Sequence, residues 1–90
     1  MKYFCYLLEC SDGSFYCGWT INLKKRIDCH NHGKGAHYTR SRLPVKLVYY
    51  EEFPARSSAM SRERKLKRFS HLRKQRLIQG FCHDRSTDPD

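Results

Sequence analysis

Residues 2–9 carry apolar side chains on both faces of an extended run, with Tyr3, Cys5 and Leu7 alternating against Phe4, Tyr6 and Leu8. A strand with two apolar faces belongs in the middle of a sheet, covered on both sides. Ser11-Asp12-Gly13-Ser14 follows as a turn in which Gly13 is free to take a positive φ. Residues 15–19 return as a second strand, so the two aromatic-rich runs and their turn predict a β-hairpin. Gly18, near the end of the second strand, removes a side chain where another group approaches.

The period then changes to that of a helix. Asn22 is placed as an N-cap, Leu23–His32 as a helix and Gly33 as its C′ residue. Leu23, Ile27 and His30 make its apolar stripe, and Arg26, four positions before His30, projects from the same side. Residues 33–44 are expected as a loop, and Val45–Phe53, between Pro44 and Pro54, as a third strand. Ser57 or Ser58 is expected to cap a helix running to about Arg68. Ser70 is expected to cap another, His71–Gln79, stopped by Gly80. Residues 81–90 are expected as a flexible C-terminal tail, leaving one domain over residues 1–80.

Charge narrows the partner. Eighteen Lys and Arg stand against nine Asp and Glu, a formal charge of +9, and three of the acids fall in the last ten residues. Such a field either concentrates polyanions at the surface, nucleic acid foremost, or marks a merely soluble basic protein. Ninety residues form a small core, burying about 60% of the unfolded surface. No apolar run reaches the roughly 20 residues of a membrane span, and Tyr3–Leu8 is too short for a signal-peptide core. The expected location is therefore cytoplasmic. The five cysteines (5, 10, 17, 29 and 82) are odd in number and contain no Cys-x-x-Cys pair, which argues against a disulfide framework. Cys29, His30 and His32 are close in sequence but fall short of the four ligands of a zinc site.

Several residues then stand out chemically. Arg26 and His30 form either an exposed basic face, as Lys24 and Lys25 do, or part of a site. The loop offers Lys34, His37, Tyr38, Arg40 and Arg42, either for contact with phosphates or as a solvated connector. It lacks the spacing of a P-loop. Glu63 is the one acid among the five cations of Arg62–Arg68, on the same inner stripe as Ala59 and Leu66. It pairs either with Lys67 at i, i+4 or with a divalent cation held by one carboxylate, water and phosphate oxygens.

Phe4-Cys5-Tyr6, Tyr16-Cys17-Gly18, Asn-Leu-Lys-Lys-Arg at 22–26, Gly-Lys-Gly-Ala-His-Tyr-Thr at 33–39 and the Glu63 helix occur here in order. In these motifs the chain resembles the GIY-YIG nuclease superfamily, most closely its small stand-alone bacterial members, over about residues 2–80. The resemblance implies an α+β fold, a small three-stranded antiparallel sheet flanked by three helices. It implies a divalent-metal-dependent nuclease acting on DNA, with RNA open as a substrate, in repair or recombination. Tyr6 would be the general base or would orient the attacking water, and Tyr16 would support it and contact the scissile phosphate. Arg26 would offset charge on the phosphoryl oxygens. His30 would hydrogen-bond the nucleophile or phosphate, and Glu63 would bind Mg²⁺ or Mn²⁺. Arg26, the metal and the surrounding Lys and Arg are expected to lower the pKa of Tyr6 from about 10 so that it can act as a base. Lys24, Lys25, Lys34, His37, Tyr38, Arg40, Arg42 and Lys67 are the expected nucleic-acid contacts.

The chain departs from the family pattern where Phe4 replaces the first motif's Gly, and no Asn occurs after Asn31. A protein partner is expected to supply substrate targeting. The competing function is a nucleic-acid-binding module without efficient catalysis. A zinc or protein-interaction module built on Cys29, His30 and His32 is the third.

Overall fold

The structure, a computed structural model, describes the backbone of residues 1–86 and the side chains of residues 1–81. Its elements are β1 (Tyr3–Glu9), β2 (Phe15–Thr20), α1 (Leu23–Asn31), α2 (His37–Arg40), β3 (Lys46–Phe53), α3 (Arg56–Lys67) and α4 (His71–Ser86). The sheet order is β2-β1-β3, antiparallel throughout, so β1 is central as its apolar faces require.

One face of β1, Cys5 and Leu7, packs with Cys17, Tyr49 and the Leu66 of α3, with Phe69 in the α3–α4 connection, and with Leu77 and Phe81 of α4. The other face, Tyr6 and Leu8, packs with Cys10 and Val45 and with Leu23 and Ile27 of α1. The pairing of β1 with β3 shifts between Leu7, opposite Tyr49, and Leu8, opposite Leu47. The extra residue is Val48, a β-bulge, and it lets Val48 and Tyr49 both join the α3/α4 layer.

Local chemistry fixes the ends of several elements. Gly13 takes φ 83°, and the Asp12 carboxylate accepts from the Ser14 N–H at 3.0 Å. The Asn22 side chain accepts from the Lys25 N–H at 3.0 Å, and Gly33 takes φ 74° after α1. Ser70 Oγ accepts from the Arg73 N–H at 3.1 Å at the start of α4.

Three expectations differ. The connector 33–44 contains the one-turn helix α2, a fourth helix too short to show a periodicity. Helix α3 starts at Arg56, ahead of Ser57 and Ser58, with Ala55 in the cap position and no side-chain cap. Residues 54–58 are exposed, so water can serve the free N–H groups of this first turn. Helix α4 does not stop at Gly80 but runs on to Ser86. A mid-helix glycine costs only about 1 kcal/mol, and Phe81 holds the chain down by edge contacts with Tyr49 and Tyr50. The part of the expected tail at 81–86 is therefore helical, and 87–90 lie outside the described residues. Among the described residues no helix is long and apolar enough to cross a membrane. Cys5, Cys10, Cys17 and Cys29 are free thiols.

Candidate active site

Tyr6 sits at the centre of β1, 1% exposed, opposite Gly18 on β2. A Cβ at position 18 would lie 2.6 Å from the Tyr6 hydroxyl oxygen, so only glycine admits the phenol there. Helix α1 crosses this face and brings two side chains, one turn apart, to the same hydroxyl. Arg26 Nε donates to it at 3.4 Å, and His30 Nε2 lies 3.2 Å away. His30 is fully buried. Its Nδ1 lies 2.8 Å from Thr39 Oγ1 on α2, and the Thr39 hydroxyl donates to the Ala36 carbonyl at 3.0 Å. Tyr16 meets the edge of His30 with ring centroids 5.2 Å apart and stacks on Tyr38 at 6.1 Å.

Burial sets the charge states here. Desolvation pushes Tyr6 up to about 12 although the Arg26 hydrogen bond pulls the other way. Against the expected lowering by surrounding cations, burial of the Tyr6 side chain outweighs the one guanidinium that donates to its hydroxyl. Burial first, and the Arg26 charge second, hold His30 below the ordinary 6.5, so the imidazole is neutral at pH 7. Arg26 is held even more firmly protonated, chiefly by its bond to Tyr6. Among the described residues no carboxylate pairs with it.

Glu63 lies on α3, across the sheet from α1. Its side chain is 14% exposed and pairs with Lys67 at 2.9 Å, and its backbone carbonyl accepts from Cys17 Sγ at 3.6 Å. Lys67, Tyr16 and Tyr38 share a depression of about 220 Å³, which links the carboxylate's surroundings to the tyrosine side of the site. Among the described residues no three His, Cys, Asp or Glu side chains cluster as a metal cage. A single carboxylate fits Mg²⁺, which keeps most of its waters and takes further oxygens from phosphate. Lys67 occupies that carboxylate and would have to release it.

Tyr6, Tyr16, Arg26 and His30 are therefore brought together, and Glu63 is placed one layer away beside Cys17. Lys24, Lys25, Lys34, His37 and Arg40 are exposed. Arg42 is engaged: it donates to Asp12 at 3.0 Å and to the Tyr38 carbonyl at 2.8 Å and covers the Tyr38 ring at 4.0 Å. A groove of about 580 Å³ between α3 and α4 is lined by Arg62, Phe69, Arg73 and Arg76 and by none of these site residues. Thr39 was not singled out by the sequence, although His-Tyr-Thr follows the glycine pair closely enough to reach α1. Asn31, also passed over, clamps the start of β3 by exchanging 3.0 and 2.8 Å bonds with the Val45 backbone.

The GIY-YIG catalytic domain matches residues 2–79. The chain belongs to the GIY-YIG family. It is 53% identical over 73 residues to a UPF0213 protein of Clostridium perfringens, covering 81% of this chain and 78% of that protein. It is 48% identical over 77 residues to a UPF0213 protein of Streptococcus pneumoniae, covering 86% and 78%. The solution NMR structure of a UPF0213 protein from Bacillus halodurans superposes with a TM-score of 0.56 at 43% identity, covering 88% and 84% of the two chains. That of an E. faecalis protein gives 0.60 at 36% identity, covering 90% and 86%. The small antiparallel sheet with flanking helices is thus the fold of this GIY-YIG subfamily.

Proposed function

We propose that this GIY-YIG domain hydrolyses phosphodiester bonds in DNA with the help of Mg²⁺ or Mn²⁺. The observation that carries the reading is Arg26: a half-buried guanidinium without a carboxylate partner among the described residues, directed at the Tyr6 hydroxyl. A cation left uncompensated beside a buried phenol is suited to an anionic substrate.

Tyr6 is protonated at rest, so it acts by exchange. The attacking water gives its proton to the Tyr6 oxygen as the Tyr6 proton moves to His30 Nε2, and the hydroxide oxygen bonds to phosphorus. The bond from phosphorus to the leaving oxygen breaks with its electron pair going to that oxygen, which takes a proton from water, and the proton on His30 returns to solvent. The phosphoryl oxygens, more negative on the way, meet the remaining Arg26 N–H groups. Tyr16 contacts the phosphate from beside His30. Glu63 would hold the divalent cation, which when bound would supply neutralising charge for the phosphate undergoing cleavage. The exposed cations Lys24, Lys25, Lys34 and Arg40 contact flanking phosphates, with His37 and Tyr38 beside them. The setting is DNA repair or recombination, with RNA as the alternative substrate and a protein partner directing the enzyme to its target.

The Glu63–Lys67 ion pair favours a second reading, a binding module in which the carboxylate is already satisfied. Labelled single-stranded, duplex and branched DNA, incubated with Mg²⁺ or Mn²⁺ and wild type, Tyr6→Phe or Glu63→Ala, separates the two. The hydrolase reading expects metal-dependent cutting lost in both variants. Binding without cutting by wild type selects the module, and equal cutting by all three identifies a contaminant.

A further inference from the structure

The hydrogen bonds through Tyr6 form one chain whose two ends have a fixed sense. Arg26 Nε can only donate, and the Ala36 carbonyl can only accept. Between them run Arg26 to Tyr6 at 3.4 Å, Tyr6 to His30 at 3.2 Å, His30 to Thr39 at 2.8 Å and Thr39 to Ala36 at 3.0 Å. Thr39 has one hydroxyl proton, and the Ala36 carbonyl takes it. The Thr39 oxygen must therefore accept from His30, so Nδ1 carries the hydrogen. A neutral His30 then presents a bare Nε2, and the Tyr6 hydroxyl donates to it.

We propose that Thr39 is a positioning residue that holds His30 as the Nδ1–H tautomer and thereby leaves Nε2 free to receive the Tyr6 proton. The catalytic meaning of this role rests on the hydrolase reading; the tautomer itself does not. With the opposite tautomer, His30 Nε2–H would face an oxygen that already accepts from Arg26, and Tyr6 would lose its proton acceptor. A backbone-anchored hydroxyl here does what a carboxylate or carbonyl does behind other functional histidines.

The surroundings leave little freedom for another arrangement. Thr39 and His30 are both fully buried, so bulk water does not reach the pair. A Cβ on Gly35 would lie 2.2 Å from His30 Nδ1, so the glycine before α2 provides the space in which ring and hydroxyl meet. The Ala36 carbonyl also accepts from the Arg40 N–H at 3.2 Å, so the sense of the chain is decided at its other end: with the senses reversed, the Tyr6 hydroxyl would accept from both Arg26 and His30 and its own proton would lose its acceptor. This gives α2 a purpose: one helical turn carries Thr39 and the Ala36 carbonyl to the back of His30.

The test is a long-range ¹H–¹⁵N correlation spectrum of the imidazole nitrogens at neutral pH, with the His30 signals assigned by their loss in His30→Asn. Wild type is expected to show a protonated Nδ1 and a bare Nε2. Thr39→Val is expected to move His30 toward the Nε2–H form and to slow single-turnover cleavage by about 10- to 100-fold. Thr39→Ser is expected to restore both. An Nε2–H tautomer in wild type overturns the proposal, as does a Thr39→Val protein that keeps both tautomer and rate. If the backbone amide spectrum shows Thr39→Val unfolded, the wild-type tautomer and Thr39→Ser decide: a serine protein that folds but loses the tautomer also overturns it. A wild type that shows the Nδ1–H form yet cuts no DNA overturns the hydrolase reading and leaves the tautomer assignment standing.

Discussion

Each face of the sheet buries a tyrosine near an arginine, and the two sites end in opposite states. On the α3/α4 side Tyr49 donates to Glu51, and Arg62 grips the same carboxylate through Nε and Nη2 at 3.0 to 3.2 Å. On the α1 side Tyr6 meets Arg26 and the neutral His30, with no acid paired to the guanidinium among the described residues. Both phenols are pushed up to about 12, mainly by burial. A raised tyrosine therefore does not distinguish a site from a core contact. The distinguishing feature is compensation: the Tyr49 cluster contains its own counter-ion, whereas the Tyr6 cluster keeps a free positive charge and an unprotonated base.

The strongest way to break this contrast is to crowd the open side. Gly18→Ala places a methyl group 2.6 Å from the Tyr6 hydroxyl. It should lower stability by about 1–3 kcal/mol, measured by urea unfolding, and displace Tyr6 enough to abolish cleavage.

On the closed side, Arg62→Met takes the cation from the Glu51 carboxylate and leaves the Tyr49 hydroxyl donating to it. Both side chains of the ion pair are about a quarter exposed, so the loss should be modest, about 1–2 kcal/mol. Cleavage at fixed temperature should stay within about twofold, because Arg62 lies on the face away from α1.

Titration sharpens the comparison less strongly but on both faces at once. The unfolded tyrosines ionise near 10 while Tyr6 and Tyr49 stay protonated to about 12, so stability should fall as pH rises across that window. Tyr6→Phe and Tyr49→Phe should each flatten the fall. His30 differs in sign: its folded pKa is below 6.5, so stability should decrease as pH drops through 6.5, and His30→Asn should remove that slope. Denaturant midpoints across pH check all three variants.

The smallest expected effect concerns Glu63. Lys67→Met removes the cation now paired with it at 2.9 Å. The Mg²⁺ concentration for half-maximal cleavage should fall severalfold, by about the few tenths of a kcal/mol to 1 kcal/mol of such a pair. An unchanged or higher requirement would remove Glu63 from the proposed metal site.

How much of this was legible in sequence depends on range. The hairpin, the Asn22 cap, the Gly33 stop and the shared side of Arg26 and His30 follow from neighbours within a few residues. Gly18 was also readable as a close approach, although not what approaches. The Val48 bulge was hidden, because Val-Tyr-Tyr satisfies either register until β1 pairs with it. Helix α2 spans one turn and has no period to detect. Gly80 resembled a stop because the contacts that hold its neighbour Phe81 include Tyr49 and Tyr50, some 30 positions earlier. The part of the Tyr6 pKa that burial sets was hidden for the same reason: nearby cations are visible in sequence, whereas packing of the phenol against α1 and Gly18 exists only in the fold.

The measurement that tests the central claim most directly is single-turnover cleavage of labelled DNA by wild type, Arg26→Met and Arg62→Met, side by side in Mg²⁺. If the uncompensated guanidinium is the site of the chemistry, Arg26→Met should lose about 10²- to 10³-fold in rate and Arg62→Met almost none. Equal losses in both variants, or no loss in Arg26→Met, would contradict the account.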